Sequence, residues 1–130
     1  AEGHIAYDFP VCVNGREIEG IRLAFREGKV VEAHAEKNAD YFHAMLDMDP
    51  GARRLGELGI GTNRGIQRFI KNILFDEKIG GTVHLALGNA YPETGGKNQS
   101  GLHWDMIKDL RQGGAITVDG KPFQVDGKFV

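Results

Sequence analysis

At 130 residues and 14.3 kDa the chain has room for one compact domain and no second core. Sixteen basic residues against eighteen acidic ones leave a net charge of −2, without the basic footprint of a general nucleic-acid binder. No apolar run approaches the ~20 residues that span a bilayer, and no signal segment opens the chain. The single Cys12 excludes an intramolecular disulfide framework and suits a reducing cytoplasm.

The first third reads as β structure. His4 to Val13 is mixed apolar, and Asn14-Gly15 is a strong two-residue turn signal. Glu17 to Phe25 alternates through Ile18, Ile21, Leu23 and Phe25. Glu27-Gly28 turns the chain, and Lys29 to Ala35 returns through Val30, Val31 and Ala33 as the partner of an antiparallel hairpin. Cys12, on one of these strands, is expected to be packed inside.

Asn38 can cap a helix whose Phe42, Met45 and Leu46 fall on one face, ended by Asp49-Pro50-Gly51. The segment Arg54 to Gly61 reads as an extended stretch running into a loop. Thr62 or Asn63 then caps the most regular helical pattern in the chain, with Ile66, Phe69, Ile70, Ile73 and Leu74 at i, i+3, i+4, i+7 and i+8. TVHLAL, residues 82–87, is a short strand, residues 92–101 form a polar loop, and LHWDMI, residues 102–107, is another strand. The tail meanders through Asp119-Gly120 and Asp126-Gly127, with Pro122 pointing to a sheet edge. The sum is an α+β fold: a mixed, largely antiparallel sheet with two main helices, in one domain over residues 1–130.

Chemistry concentrates late in the chain. In His103-Trp104-Asp105 the i and i+2 side chains share a strand face. That geometry suits two metal ligands or a histidine oriented by an acid, and equally a polar outward face on an edge strand. Trp104 then packs on the opposite face. His84 interrupts an apolar strand and shares a face with the small residues Thr82 and Ala86, where an imidazole can approach a ligand closely or bond a backbone carbonyl. Glu57 lies between Gly56 and Leu58, where a solvated charge is out of place and a paired or metal-bound one is not. Glu77 follows Asp76 at the end of the second helical pattern, against the sign of the helix dipole. This mixed nitrogen and oxygen set fits zinc, cobalt or manganese better than magnesium or calcium, and lacks the thiolates of a Cys-rich structural zinc site. His4, His34 and His43 lie on separate elements and are expected at the surface or in local structural roles.

The stretches VNGREIEGIRLAFREGKVVEAHAEK, GARRLGELGIGTN, ILFDEKIGGTVHLALGNAYPETGG, SGLHWDMI and VDGKPFQVDGKF together resemble the thermophilic-type metallo-aminopeptidases, the family of aminopeptidase T, aminopeptidase S and PepS. The resemblance covers nearly the whole chain. It implies two divalent metal ions, zinc or cobalt with manganese third, held by Glu57, His84, His103 and Asp105. It implies that Glu77, the glutamate of the family's D-E pair, is a ligand or the acid/base for the water proton. Tyr91 would stand beside the metals and stabilise the tetrahedral intermediate. It further implies peptide substrates, a homodimer and a cytoplasmic location, with no nucleic-acid or membrane partner. Six residues separate Glu77 from His84, a longer gap than in the best-known members. The family's further glutamate, in a GEVFT-like motif, belongs upstream of Ala1. The chain is therefore expected to correspond to the C-terminal, ligand-bearing portion of such an enzyme, with the N-terminal domain absent and weak or no activity alone. The alternative is a non-catalytic metal-binding or self-associating domain that keeps the fold.

Overall fold

The computed structural model describes residues 1–130 as an α+β domain whose eleven strands form four small antiparallel sheets. Strands β1 (Gly3–Ala6), β4 (Arg22–Arg26) and β5 (Lys29–His34) pair in the order β1-β4-β5, while β2 (Val11–Val13) and β3 (Arg16–Ile18) form a separate hairpin. Helix α1 (Ala39–Leu46) follows, then β6 (Leu55–Ile60), the one-turn helix α2 (Ile73–Asp76), β7 (Thr82–Gly88) and β8 (His103–Asp109). These last three strands pair as β6-β7-β8, and β9 (Ala115–Val118), β10 (Lys121–Val125) and β11 (Lys128–Phe129) close the chain as a meander.

Four two-residue turns set the local hairpins. Asn14-Gly15, Glu27-Gly28, Asp119-Gly120 and Asp126-Gly127 all place both residues at positive φ, from 48° to 79°. This conformation matches the right-handed twist of the flanking strands and demands glycine or a short polar residue at most positions. Glu27, at φ 52°, is the least accommodating of the eight. Its amide donates to the Glu2 carboxylate at 2.8 Å, which ties this turn to the N-terminus.

The core lies between the β1-β4-β5 sheet, α1 and one face of the β6-β7-β8 sheet. Ile18, Ile21, Leu23, Val30, Phe42, Leu46, Leu87 and Met106 are essentially inaccessible, and Trp104 meets the edge of Phe42 at 5.4 Å between ring centres. Each such side chain contributes about 1.5–3 kcal/mol on burial. Strand alternation then decides everything else about β8: with Trp104 and Met106 committed inward, His103, Asp105 and Ile107 must share the opposite face.

Four local expectations need correction. The regular helical pattern from Ile66 to Leu74 yields only the one turn Ile73–Asp76. Asp76, buried, accepts the Ile70 amide at 3.0 Å and the Asn72 amide at 2.8 Å, so those donors never join a helical ladder. Asn72 caps the turn through Leu74 N–H at 3.1 Å, and Asn63 instead receives the Gly65 amide. Asn38 occupies the first cap of α1 but in the left-handed region, and its side chain donates to the Glu17 carbonyl rather than capping. Cys12 is exposed, because Val11 and Val13 on either side take the inward positions of a short strand. Pro122 lies on β10, the central strand of the meander, but β11 reaches only Gln124 and Val125. At Pro122 the strand has a partner on one side alone, next to a bulge.

Candidate metal centre

The outer face of β6-β7-β8 brings the predicted ligands together. In register, Glu57, Ala86 and Asp105 lie in one row across the three strands, Gly59, His84 and Ile107 in the next, and Gly88 opposes His103 beyond them. Ala86 therefore forms a small-residue floor with Glu57 on one side, Asp105 on the other, His84 two residues before it on the same strand and His103 along a diagonal on β8. Glu57 reaches this row through a bulge between Leu55 and Glu57. The bulge re-aims the carboxylate toward the face.

Distances within the cluster are short. Glu57 Oε1 stands 3.3 Å from His84 Nε2, and Glu57 Oε2 3.3 Å from His103 Nε2. Asp105 Oδ2 is 3.5 Å from the same His103 nitrogen. One ligand atom from each of Glu57, His84 and Asp105 falls within 4.8 Å of the others, so a single ion can engage all three. His103 adjoins that trio. Its Nδ1 lies 2.8 Å from the Asn89 carbonyl, to which it donates, and this contact turns Nε2 toward the acids.

Glycine makes room for the imidazole. A Cβ at Gly59 would overlap the His84 ring, so only glycine at this register position lets the ring lie across β6. Burial completes the environment: His84 is 7% exposed, and both its Nδ1 and the Asp105 Oδ1 are buried with no hydrogen-bond partner. Buried polar atoms without partners are rare in folded chains. Two of them in a nest of carboxylates and imidazoles fit a divalent cation. Burial is the main cause that raises the Asp105 carboxyl above its ordinary range; the charges of His103 and His84 oppose this, and those of Glu77 and Glu57 add to it.

The remaining predicted residues sit at the margin. Tyr91 is 47% exposed and packs its ring 5.1 Å from that of His103. Its phenol is held above the usual range, first by desolvation and then by the charges of Glu57, Asp105, Glu77 and Glu93. Glu77 lies just past α2, where Lys78 Nζ holds its carboxylate at 2.7 Å. The structure does not place it among the close-packed ligand atoms, though its charge acts on both Asp105 and Tyr91. His4, His34 and His43 stand away from the cluster, as expected. Sequence reasoning missed Gly59 and Asn89. Gly59 carried a signal, since it alternates with Glu57 on one strand face; Asn89 acts through its carbonyl and carried none.

A three-stranded antiparallel sheet thus carries on its outer face an acid-histidine cluster that could hold a divalent metal ion. The chain belongs to the thermophilic metalloprotease (M29) family, whose model matches residues 1–129. It is 37% identical over 133 residues to Aminopeptidase 2 of Geobacillus stearothermophilus, an alignment covering 86% of this chain and 32% of that protein. The solved structure of wild-type AmpT from Thermus thermophilus superposes with a TM-score of 0.78 at 31% identity, over 99% of this chain and 36% of the other. A 2,5-dihydroxypyridine dioxygenase from Pseudomonas putida KT2440 shares the fold at a TM-score of 0.76, with 20% identity over 99% of this chain and 40% of its own. The chain thus spans about a third of the length of the curated relatives it matches. No helix is long and apolar enough to cross a membrane.

Proposed function

We propose that this chain is the metal-binding portion of a metal-dependent aminopeptidase, which removes N-terminal residues from peptides. The observation that carries the reading is the convergence of Glu57, His84, His103 and Asp105 around Ala86, with buried, unpartnered atoms on His84 and Asp105. Family membership supplies the reaction class. Glu57, His84 and Asp105 would hold one divalent ion, zinc or cobalt, and His103 with the shared carboxylates a second. Bound there, such ions supply a Lewis acid for the scissile carbonyl and a water acidic enough to lose a proton near neutral pH.

The chain's own residues do the rest. Glu77 accepts the proton of the attacking water and returns it to the leaving amine. Tyr91, its pKa raised, stays protonated at neutral pH and donates a hydrogen bond to the carbonyl oxygen as negative charge develops there. His103 is oriented for this work by Asn89. A homodimer in the cytoplasm is part of the same reading, and a free, exposed Cys12 suits a reducing compartment.

Stripping the protein and reloading it with zinc or cobalt, followed by elemental analysis, tests the proposal. Two ions per chain, reduced by His84→Ala and Asp105→Asn, and release of the first residue from peptides with a free but not an acetylated amine, are the expected results. A chain that takes up no ion overturns it. A second reading, a non-catalytic domain that keeps the fold and its ion, is favoured by the ion pair that already engages Glu77 with Lys78. It predicts metal uptake without hydrolysis.

A further inference from the structure

The loop between β7 and β8, residues 89–102, supplies the main-chain carbonyl that orients His103. A carbonyl can steer a ring only if its own peptide is held. The Asn89 N–H donates to the Leu102 carbonyl at 2.6 Å. Before it, the Gly88 carbonyl accepts from Asn98 Nδ2 at 2.7 Å. After it, the Ala90 N–H donates to the Asn98 carbonyl at 2.9 Å. Asn98 therefore grips both flanks of Asn89, and its own hydrogen bonds go to main-chain groups outside the cluster.

The half-buried Asn98 side chain is itself anchored. Its Nδ2 donates a second bond to the Gly51 carbonyl at 2.9 Å. Both acceptors are carbonyls, so the amide must turn its NH₂ group toward them, and both hydrogens are engaged. A Cβ at Gly51 would overlap the Gln99 carbonyl, so the loop lies directly on that turn. A separate fastening holds the end of the loop: Ser100 Oγ and Gly101 N–H each donate to the Asp49 carboxylate at 2.8 Å. That one bears on residues 100–101 and leaves the peptides around Asn89 to Asn98. The grip matters because a neutral imidazole has one ring proton and two claims on it. The Asn89 carbonyl stands 2.8 Å from Nδ1, while Glu57 Oε2 at 3.3 Å and Asp105 Oδ2 at 3.5 Å compete at Nε2.

We propose that Asn98 is a positioning residue for His103: by clamping Gly88 and Ala90 it holds the Asn89 carbonyl where it keeps the ring proton on Nδ1 and leaves Nε2 open. With the carbonyl loosened, the nearby carboxylates draw the proton to Nε2, and a protonated nitrogen cannot bind an ion. The place of the proton depends on the loop alone. Its consequence for metal affinity rests on the metal-centre reading given above.

The test is heteronuclear NMR of the imidazole nitrogens in the whole, metal-free chain at about pH 9, above the ordinary histidine range, with His103→Gln assigning the signal. The parent should carry the proton on Nδ1. Asn98→Ala, which removes the donors, and Asn98→Asp, which sets a carboxylate against both carbonyls, should move it to Nε2. Both variants keep the Ser100–Asp49 fastening, so the loop stays docked. Ser100→Ala, which releases that fastening and none of the bonds flanking Asn89, should leave the proton on Nδ1. Calorimetric titration of the Asn98 variants with zinc should show a loss of about tenfold or more in affinity. A parent with the proton on Nε2 overturns the proposal, and so do Asn98 variants that keep it on Nδ1, whatever their zinc affinity. Ser100→Ala moving the proton as far as Asn98→Ala also overturns it, because any loosening of the loop would then suffice. A proton that moves as expected with zinc affinity unchanged supports the role of Asn98 and overturns His103 as a ligand.

Discussion

The His84 imidazole lies across the backbone of Gly59, its partner in the β6-β7 register, in space that any side chain would fill. The position of the buried imidazole on β7 is thus set by the absence of an atom on β6.

Gly59→Ala follows directly. The φ of Gly59 is not in the left-handed region, so alanine fits the backbone and the cost falls on the ring. Zinc affinity should drop about 10–100-fold, the usual effect of disturbing a ligand's orientation. Calorimetric titration of variant and parent measures it, and equal affinities would show that His84 does not bind the ion.

Metal should stabilise the fold. A ligand at a hundred times its dissociation constant adds about 2.7 kcal/mol, a rise of several degrees in Tm for a domain of this size. Glu57→Gln, His84→Ala or Asp105→Asn should each abolish most of that rise in thermal melts with and without chelator. Identical shifts in variants and parent would place the ion elsewhere.

Without metal, Asp105 should make stability depend on pH. Its folded pKa is raised, chiefly by burial, so the folded chain holds that proton more tightly than the unfolded one. The contribution to stability is present below the ordinary carboxylate range and is lost as pH rises through the raised value. Melts in chelator should therefore show Asp105→Asn gaining on the parent as pH rises across that window. Zinc competes with the same proton, so its affinity should rise over the same range.

Asp76 anchors the segment that replaces the predicted helix. Asp76→Ala leaves the Ile70 and Asn72 amides without their acceptor and should cost about 2–4 kcal/mol. Denaturant titration gives the magnitude. Limited proteolysis should then cut first between residues 64 and 72.

Which parts of the fold could be read in advance follows from where the controlling interactions lie. The hairpins at Asn14-Gly15, Glu27-Gly28, Asp119-Gly120 and Asp126-Gly127 are dictated by two adjacent residues each, and the sequence shows them plainly. Parity on β8 is equally local: Trp104 inward puts His103 and Asp105 together outward. The apolar stripe of Ile66, Phe69, Ile70, Ile73 and Leu74 misleads because its organising contacts are distant. Phe69 stacks on Phe9, Lys71 at φ 62° pairs with Glu17, and Ile70, Ile73 and Leu74 face outward, so no core rewards a helix here. Grouping Glu57 with Asp105 needed the register through Ala86, which no spacing encodes.

The same contrast sets an order of assembly. The tight turns join neighbours β2-β3, β4-β5, β9-β10 and β10-β11, whereas residues 61–81 separate β6 from β7 and residues 89–102 separate β7 from β8. Hairpins of the first kind close within about 1–10 μs. The sheet that carries Glu57, His84 and Asp105 waits on two long closures, whose entropic cost rises with length. These residues are therefore expected to come together late, on the native side of the folding barrier. An ion that binds them should slow unfolding and leave the rate of refolding nearly unchanged, so that the bound chain is protected mainly by its lifetime in the folded state.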